Sequence, residues 1–237
     1  MVAAFAGWND AAEAAPDAVE HLHTVWDATP VARFDPEDYY DFQVHRPTVS
    51  LREDGGRDVE FPTTSISLAR VPGASRDVLL VRGLEPSIRW RAFCRELLDF
   101  ADTVDIELVV TVGALLADMP HTRPVQVTGT CTDPELGAGL GLQPSTYEGP
   151  TGIIGVLQHE ADQRSRPGVS YWAAVPHYVG QPPCPKASLA LLHRVEDLLD
   201  IPIPLGDLPE RARAWERGVA ELAARPEPLR IGVRTSV

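Results

Sequence analysis

Residues 106–115, IELVVTVGAL, are apolar or glycine throughout except for Glu107 and Thr111. A run with no hydrophilic face predicts a strand covered on both sides, as in a parallel sheet packed between helices. VLLVRG (78–83) has the same character and ends in glycine. Val2–Ala6, VQVTGT (125–130) and SYWAAV (170–175) supply further strands. Between them, Asp10–Asp27, Trp90–Phe100, residues 152–164 and residues 187–199 place apolar side chains at spacings of three and four, which predicts helices. Strands that alternate with helices give an α/β fold, with a mostly parallel sheet flanked by helices. Pro16 falls inside the first helical stretch, so that helix either kinks there or starts close to it.

Val31–Phe34 is a short strand candidate. Thr48–Leu51 and Asp58–Leu68 flank Glu53-Asp54-Gly55-Gly56, which predicts an inserted β-hairpin. Gly137, Gly139 and Gly141 read as a mobile loop. Near the end, Pro202, Pro204 and Pro209 form a stiff connector, Glu210–Ala224 reads as a terminal helix, and the last thirteen residues look frayed. This divides the chain into an α/β domain over 1–205 and a helical appendage over 206–237.

The net charge of −13 argues against binding nucleic acid or anionic membranes, because neutralising phosphates needs clustered cations. No apolar run is long enough for a membrane span, and no basic, apolar leader opens the chain. Lys186 is the only lysine among 21 Lys and Arg residues, a bias that fits a GC-rich genome. Cys94, Cys131 and Cys184 are odd in number and far apart, so buried thiols in a reducing cytoplasm are expected, rather than disulfides or a zinc site.

Three regions have the residues for a site. In Gly7-Trp8-Asn9-Asp10 an apolar strand turns through glycine toward a helix, with Asn9 or Asp10 placed to cap it. This is either a structural corner or a helix N-terminus open to an anion, and no dinucleotide or phosphate-loop motif accompanies it. Tyr147-Glu148-Gly149-Pro150-Thr151-Gly152 is a second turn into a helix, with Gly152 and Gly155 placed for close approach to the sheet. Both helix starts are expected at the sheet edge where α/β proteins bind ligands, an arrangement that an inert, well-packed scaffold equally needs. There Gly7, Asn9, Asp10, Glu148, Thr151 and His177 define a candidate cleft for a small polar or phosphorylated molecule, and C-terminal peptides of a partner are an alternative occupant near Gly7–Asp10. Among the possible bases (His121, His159, His177) and acids (Asp10, Asp118, Glu148), no nucleophile elbow and no metal-binding pair of histidines assembles. No catalytic residue, metal or cofactor is assigned, and the chain reads as leaning away from an enzyme. The third region, PEDYYDFQVHRP (36–47), sets aromatics among charges. It is a candidate partner-binding loop, through Asp35, Tyr39, Tyr40, Phe42 and Arg46, or else a plug for the end of the core.

Six ordered segments carry a family resemblance: GWNDAAEAA (7–15), FDPEDYYDFQVHRP (34–47), VLLVRGLEPSIRWRAF (78–93), VVTVGALLADMPHTRPVQVTG (109–129), YEGPTGIIGVL (147–157) and YWAAVPHYVGQPPCPKASLALL (171–192). Together they resemble the PAC2 family, named after a proteasome assembly chaperone, in its actinobacterial form. The resemblance implies a nucleoside-phosphorylase-like architecture, a homo-oligomer such as a trimer, and a cytoplasmic location. It also implies non-enzymatic binding of protein partners, proteasome subunits among them. The rival reading is a small-molecule-binding or phosphorylase- or hydrolase-like enzyme that uses the strand-end cleft. The chain departs from the family in starting almost on its first strand and in ending ARPEPLRIGVRTSV, without the acidic, tyrosine-containing helix expected of relatives.

Overall fold

The computed structural model describes residues 1–71 and 73–224. In chain order its strands are β1 (Val2–Ala6), β2 (Thr29–Arg33), β3 (Thr48–Leu51), β4 (Arg57–Glu60), β5 (Ser65–Ala69), β6 (Val78–Leu84), β7 (Val109–Ala117), β8 (Val127–Cys131) and β9 (Gly168–Pro176). Its helices are α1 (Ala14–Val25), the single turn α2 (Pro36–Tyr39), α3 (Trp90–Thr103), α4 (Pro134–Leu140), α5 (Ile153–Asp162), α6 (Pro185–Leu199) and α7 (Leu208–Ala223). Seven strands form one sheet in the order β2-β5-β6-β1-β7-β9-β8. The four central strands, β6, β1, β7 and β9, are parallel, and antiparallel strands close both edges.

The alternation of side chains along β1 builds both halves of the core. Val2 and Ala4 face α1 and α6, whereas Ala3 and Phe5 face α3 and α5. Strand β6 repeats this, with Val78 and Leu80 on the first face and Leu79 and Val81 on the second. The period of two along a doubly covered strand is what turns an all-apolar sequence into two cores. On the second face Phe93 is fully buried, stacked on Phe34 at 4.3 Å and edge-on to Phe5 and Tyr39. Polar groups are built into this core as well. Gln158 of α5 donates to Thr111 Oγ1 (2.9 Å) and to the Val169 carbonyl (3.1 Å), tying the helix to β7 and β9.

Several elements refine or correct the sequence reading. Helix α1 takes the second of its two expected forms, starting at Ala14, close to Pro16, because Ala12 and Glu13 both take the left-handed conformation. Pro16 therefore falls in the first turn, where its missing N–H costs nothing. Gly137 and Gly139 lie in helix α4, not in a loop. Asp133 caps this helix by accepting from Leu136 N–H at 2.8 Å, and Gly141 ends it at φ 67°. The segment read as one strand over 58–68 divides after Glu60. Its first part, β4, pairs only with β3, and its second part, β5, enters the main sheet. Pro62 lies in the break, where it cannot donate to a ladder.

Helix α7 packs on α6, burying Leu208, Ala212 and Val219. The sole lysine secures the join. Lys186 Nζ, at the start of α6, donates to the His121 and Arg123 carbonyls and to the Glu216 carboxylate of α7. The readings made for the segment after residue 224 lie outside the described residues.

Candidate functional site

At the C-terminal edge of the sheet the chain leaves β1 through Gly7, whose φ of 114° is costly for any side chain. The loop then folds back on the sheet. Asp10 N–H donates to the Gly7 carbonyl (3.1 Å), and Ala114 N–H of β7 donates to the Asn9 carbonyl (3.1 Å). The Asn9 side chain, 1% exposed, donates from Nδ2 to Glu85 Oε1 at 2.7 Å. The same carboxylate oxygen accepts from Ile153 N–H, the first amide of α5, at 2.9 Å. Glu85 thus sits at the positive end of α5 and satisfies one of its free donors, as an external anion would elsewhere.

Gly152 completes the corner. Its backbone is extended, so any residue fits conformationally, but a Cβ there would lie 2.1 Å from Asn9 Oδ1 and 2.8 Å from Glu85 Oε1. Asn9 Oδ1 faces this glycine, buried and without a hydrogen-bond partner. Asp10 closes the other helix start, accepting from Ala15 N–H at 2.9 Å. Burial pushes its carboxyl up to about 7, against the backbone amides of Ala15 and Ala11, which act to lower it.

The structure brings Gly7, Asn9 and Asp10 together, and joins to them Gly152 and Glu85. Glu85 was not singled out in the sequence. It follows β6, and nothing local signals its pairing with residues 76 positions earlier and 68 later. The remaining cleft candidates lie elsewhere. Glu148 is exposed, and Thr151 turns its hydroxyl over the bare Cα of Gly155. His177 follows the end of β9, with Nδ1 4.0 Å from Asp118. Strands β7 and β9 run three residues past the Ala114–Ala173 pair, so β9 ends ~10 Å beyond the Asn9 corner along the strand axis, and His177 follows that end. What the corner can do chemically is hold two loops and a helix together. Among the described residues no group of three or more His, Cys, Asp or Glu is placed to hold a metal ion. The three cysteines are buried, and burial pushes the Cys94 thiol up to about 12.

The third candidate region, residues 36–47, divides in two. Tyr39 and Tyr40 are 2% and 4% exposed. The Tyr39 ring packs edge-on to Phe34 and Phe93, and its hydroxyl donates to Glu96. The Tyr40 hydroxyl donates to the Leu84 carbonyl (3.0 Å) and lies 2.7 Å from Thr64 Oγ1, while burial pushes its pKa up to about 12. Both tyrosines therefore plug the core, because α2, capped by Asp35, turns them inward. Phe42 and Arg46 remain toward the surface. Phe42 meets Phe61 edge-on at 5.1 Å, at the base of the β3–β4 hairpin.

All eight residues of that hairpin are exposed. Val49 lies opposite Val59, with Leu51 on the same face. Leu51 is 76% exposed, and Phe61, next after β4, is exposed as well. The opposite face carries Ser50, Asp58 and Glu60. An isolated two-stranded ribbon is marginally stable in water, and this one leaves its apolar face exposed among the described residues. The alternation of Val49 with Leu51, and of Val59 with Phe61, was the sequence signal for it.

The sequence matches the PAC2 family over residues 4–223. Among solved structures, it is similar to a PAC2 family protein from Streptomyces avermitilis, at 59% identity and a TM-score of 0.90, covering 94% of each chain. It is also similar to a Mycobacterium tuberculosis proteasome-assembly chaperone homologue, at 52% identity and 0.88, covering 95% of each. An archaeal proteasome activator from Pyrococcus furiosus shares the fold at 19% identity and 0.73, over 94% of this chain and 92% of that one. A search of curated proteins returns no match.

Proposed function

This chain belongs to the PAC2 family, and on that premise we propose that it is a non-enzymatic, chaperone-like factor that binds proteasome subunits. The observation that carries the reading is the uncovered apolar face of Val49, Leu51 and Val59, continued by Phe61 and Phe42. Exposed aliphatic and aromatic groups of this kind, on a ribbon whose other face carries Asp58 and Glu60, suit docking to another protein. The similarity to a proteasome-assembly chaperone homologue supports proteasome subunits as that partner. The proposed interface shifts from Tyr39 and Tyr40, which are buried, to the hairpin together with Phe42 and Arg46 at its base.

The proposal includes a cytoplasmic location, an actinobacterial source, self-association with a trimer as the expected form, and a division of the chain at 205/206. No helix among the described residues is long and apolar enough to cross a membrane. Nothing favours the small-molecule or phosphorylase-like reading, since Asn9 and Glu85 occupy the strand-end corner that a ligand would use.

The test uses the full chain as bait for actinobacterial 20S proteasome α and β subunits. Wild type is expected to retain α subunits, and the V49S/L51S/V59S variant to lose them while keeping the wild-type melting temperature. Failure of wild type to retain any subunit at low and moderate salt overturns the proposal. Light scattering on the free chain tests the trimer.

A further inference from the structure

Helix α3 carries two arginines that depart from the pairing pattern around them. Arg89 bonds Asp38, Arg164 bonds Asp99 and Asp102, and Arg166 bonds Asp102. Arg91 and Arg95 lie between these pairs and form no ion pair among the described residues, although acidic side chains outnumber basic ones by 34 to 21 in this chain. They stand one turn apart on α3, as like charges that repel. Arg91 also falls in the first turn of the helix, the end that disfavours a cation.

Both side chains line a groove of about 500 Å³ between α3 and α5, together with Thr151, Gly155, Val156, His159 and Glu160. Gly155 keeps the floor low, and the Thr151 hydroxyl sits above it. Arg95 also borders a second groove of about 340 Å³ that runs past Tyr39, Arg89, Ala92, Glu96 and Asp99. The depression is therefore elongated and open along α3, a shape that suits a peptide more than an enclosed small molecule. Its lining is mixed in charge. Arg91 and Arg95 have no ion partner among the described residues, although Arg95 Nε donates to the Arg91 carbonyl (3.1 Å), and Glu160, Glu96 and Asp99 line the same two grooves. A long acidic tract would also meet those carboxylates, whereas a short pair of carboxylates suits the two guanidiniums.

We propose that the α3–α5 groove receives a segment of a partner protein whose one or two carboxylates are bonded by Arg91 and Arg95. This rests on the protein-binding reading above and adds a second contact, distant in sequence from the hairpin. Guanidinium–carboxylate pairs of this kind are charge-assisted, often bidentate, and set the register of the segment they hold.

The test is fluorescence anisotropy on the full chain. The probe is a short labelled glycine–serine peptide with an adjacent pair of aspartates, compared with its asparagine counterpart and with a polyglutamate of equal length. The diacidic peptide is expected to bind saturably, and better than either control. The R91A/R95A variant is expected to weaken it by about tenfold or more, and R33A to leave it unchanged. The melting temperature of R91A/R95A should equal or exceed that of wild type, because a repulsive pair is removed. No saturable binding up to millimolar peptide overturns the proposal, as does equal binding by R91A/R95A. So does a melting temperature lowered by several degrees, or stabilisation of wild type by inorganic phosphate with no peptide binding. Loss of proteasome capture with peptide binding intact defeats the proteasome reading but not the groove, and the converse defeats the groove alone.

Discussion

Replacing Gly152 with alanine tests whether the Asn9–Glu85–α5 corner is a closed structural joint. The backbone at Gly152 is extended (φ −96°, ψ −173°), so alanine meets no conformational penalty and would by itself stiffen the unfolded chain favourably. The whole cost is steric. The new Cβ would lie 2.1 Å from Asn9 Oδ1 and 2.8 Å from Glu85 Oε1, so one or both must move. Asn9 is 1% exposed and has no room to retreat, so the displacement falls on the bonds it shares with Glu85 and, through Glu85, with Ile153 N–H. Overpacking costs about 1–3 kcal/mol, and a weakened charge-assisted hydrogen bond about 1.5–3 kcal/mol. A net loss of ~3 kcal/mol lowers Tm by roughly 6–12 °C in a chain of this size. Calorimetry on G152A measures it. G139A is the control, since a Cβ on this α4 residue meets nothing within 4 Å and should stabilise by about 0.5–1 kcal/mol. A G152A Tm within a degree of wild type would show that the corner yields freely, and the account of it as a rigid joint would fail.

Phe93→Ala removes the ring against which Phe5, Phe34 and Tyr39 pack and should cost about 3–5 kcal/mol by denaturant titration. Asp10 titrates higher folded than unfolded, so its contribution to stability is full below 3.8 and is lost as pH rises through about 7. D10N keeps an acceptor for Ala15 N–H and should gain on wild type in Tm from pH 4 to pH 8. The buried Met1 amine, pushed down to about 5, titrates with the opposite sign in both proteins and cancels in this difference. A difference that stays constant with pH would remove Asp10 from the account. Lys186→Met strands two carbonyls and Glu216, and should cost about 1–2 kcal/mol and speed amide exchange in residues 118–126 and α7.

The α/β layering was legible because IELVVTVGAL and VLLVRG leave no face for water, and only a doubly covered parallel sheet accepts such strands. The corner at Gly7 was legible for a similar reason, since a glycine after an apolar strand and an acidic cap before an alanine-rich run is local chemistry. Helix α4 was misread because its glycines depress helix propensity, while the signals that override it, the Asp133 cap and the Gly141 stop, lie at its ends.

Sequence by itself determined the central strands, the helices that sandwich them and the inward period of those elements. Tertiary structure alone decided how the functional residues were used. Tyr39, Tyr40 and Phe42 are near neighbours in one aromatic-rich segment, yet a single turn of helix sends the first two into the core and leaves the third beside the hairpin. The alternation of Val49 with Leu51 reads the same whether its apolar face is covered or bare. Covering depends on which elements the crossovers bring alongside, and among the described residues all eight strand residues of β3 and β4 stay exposed. Glu85 reaches Asn9 and Ile153 for the same reason in reverse. Periodicity along a chain fixes which face is apolar, whereas contacts between distant segments are set by the order of strands in the sheet.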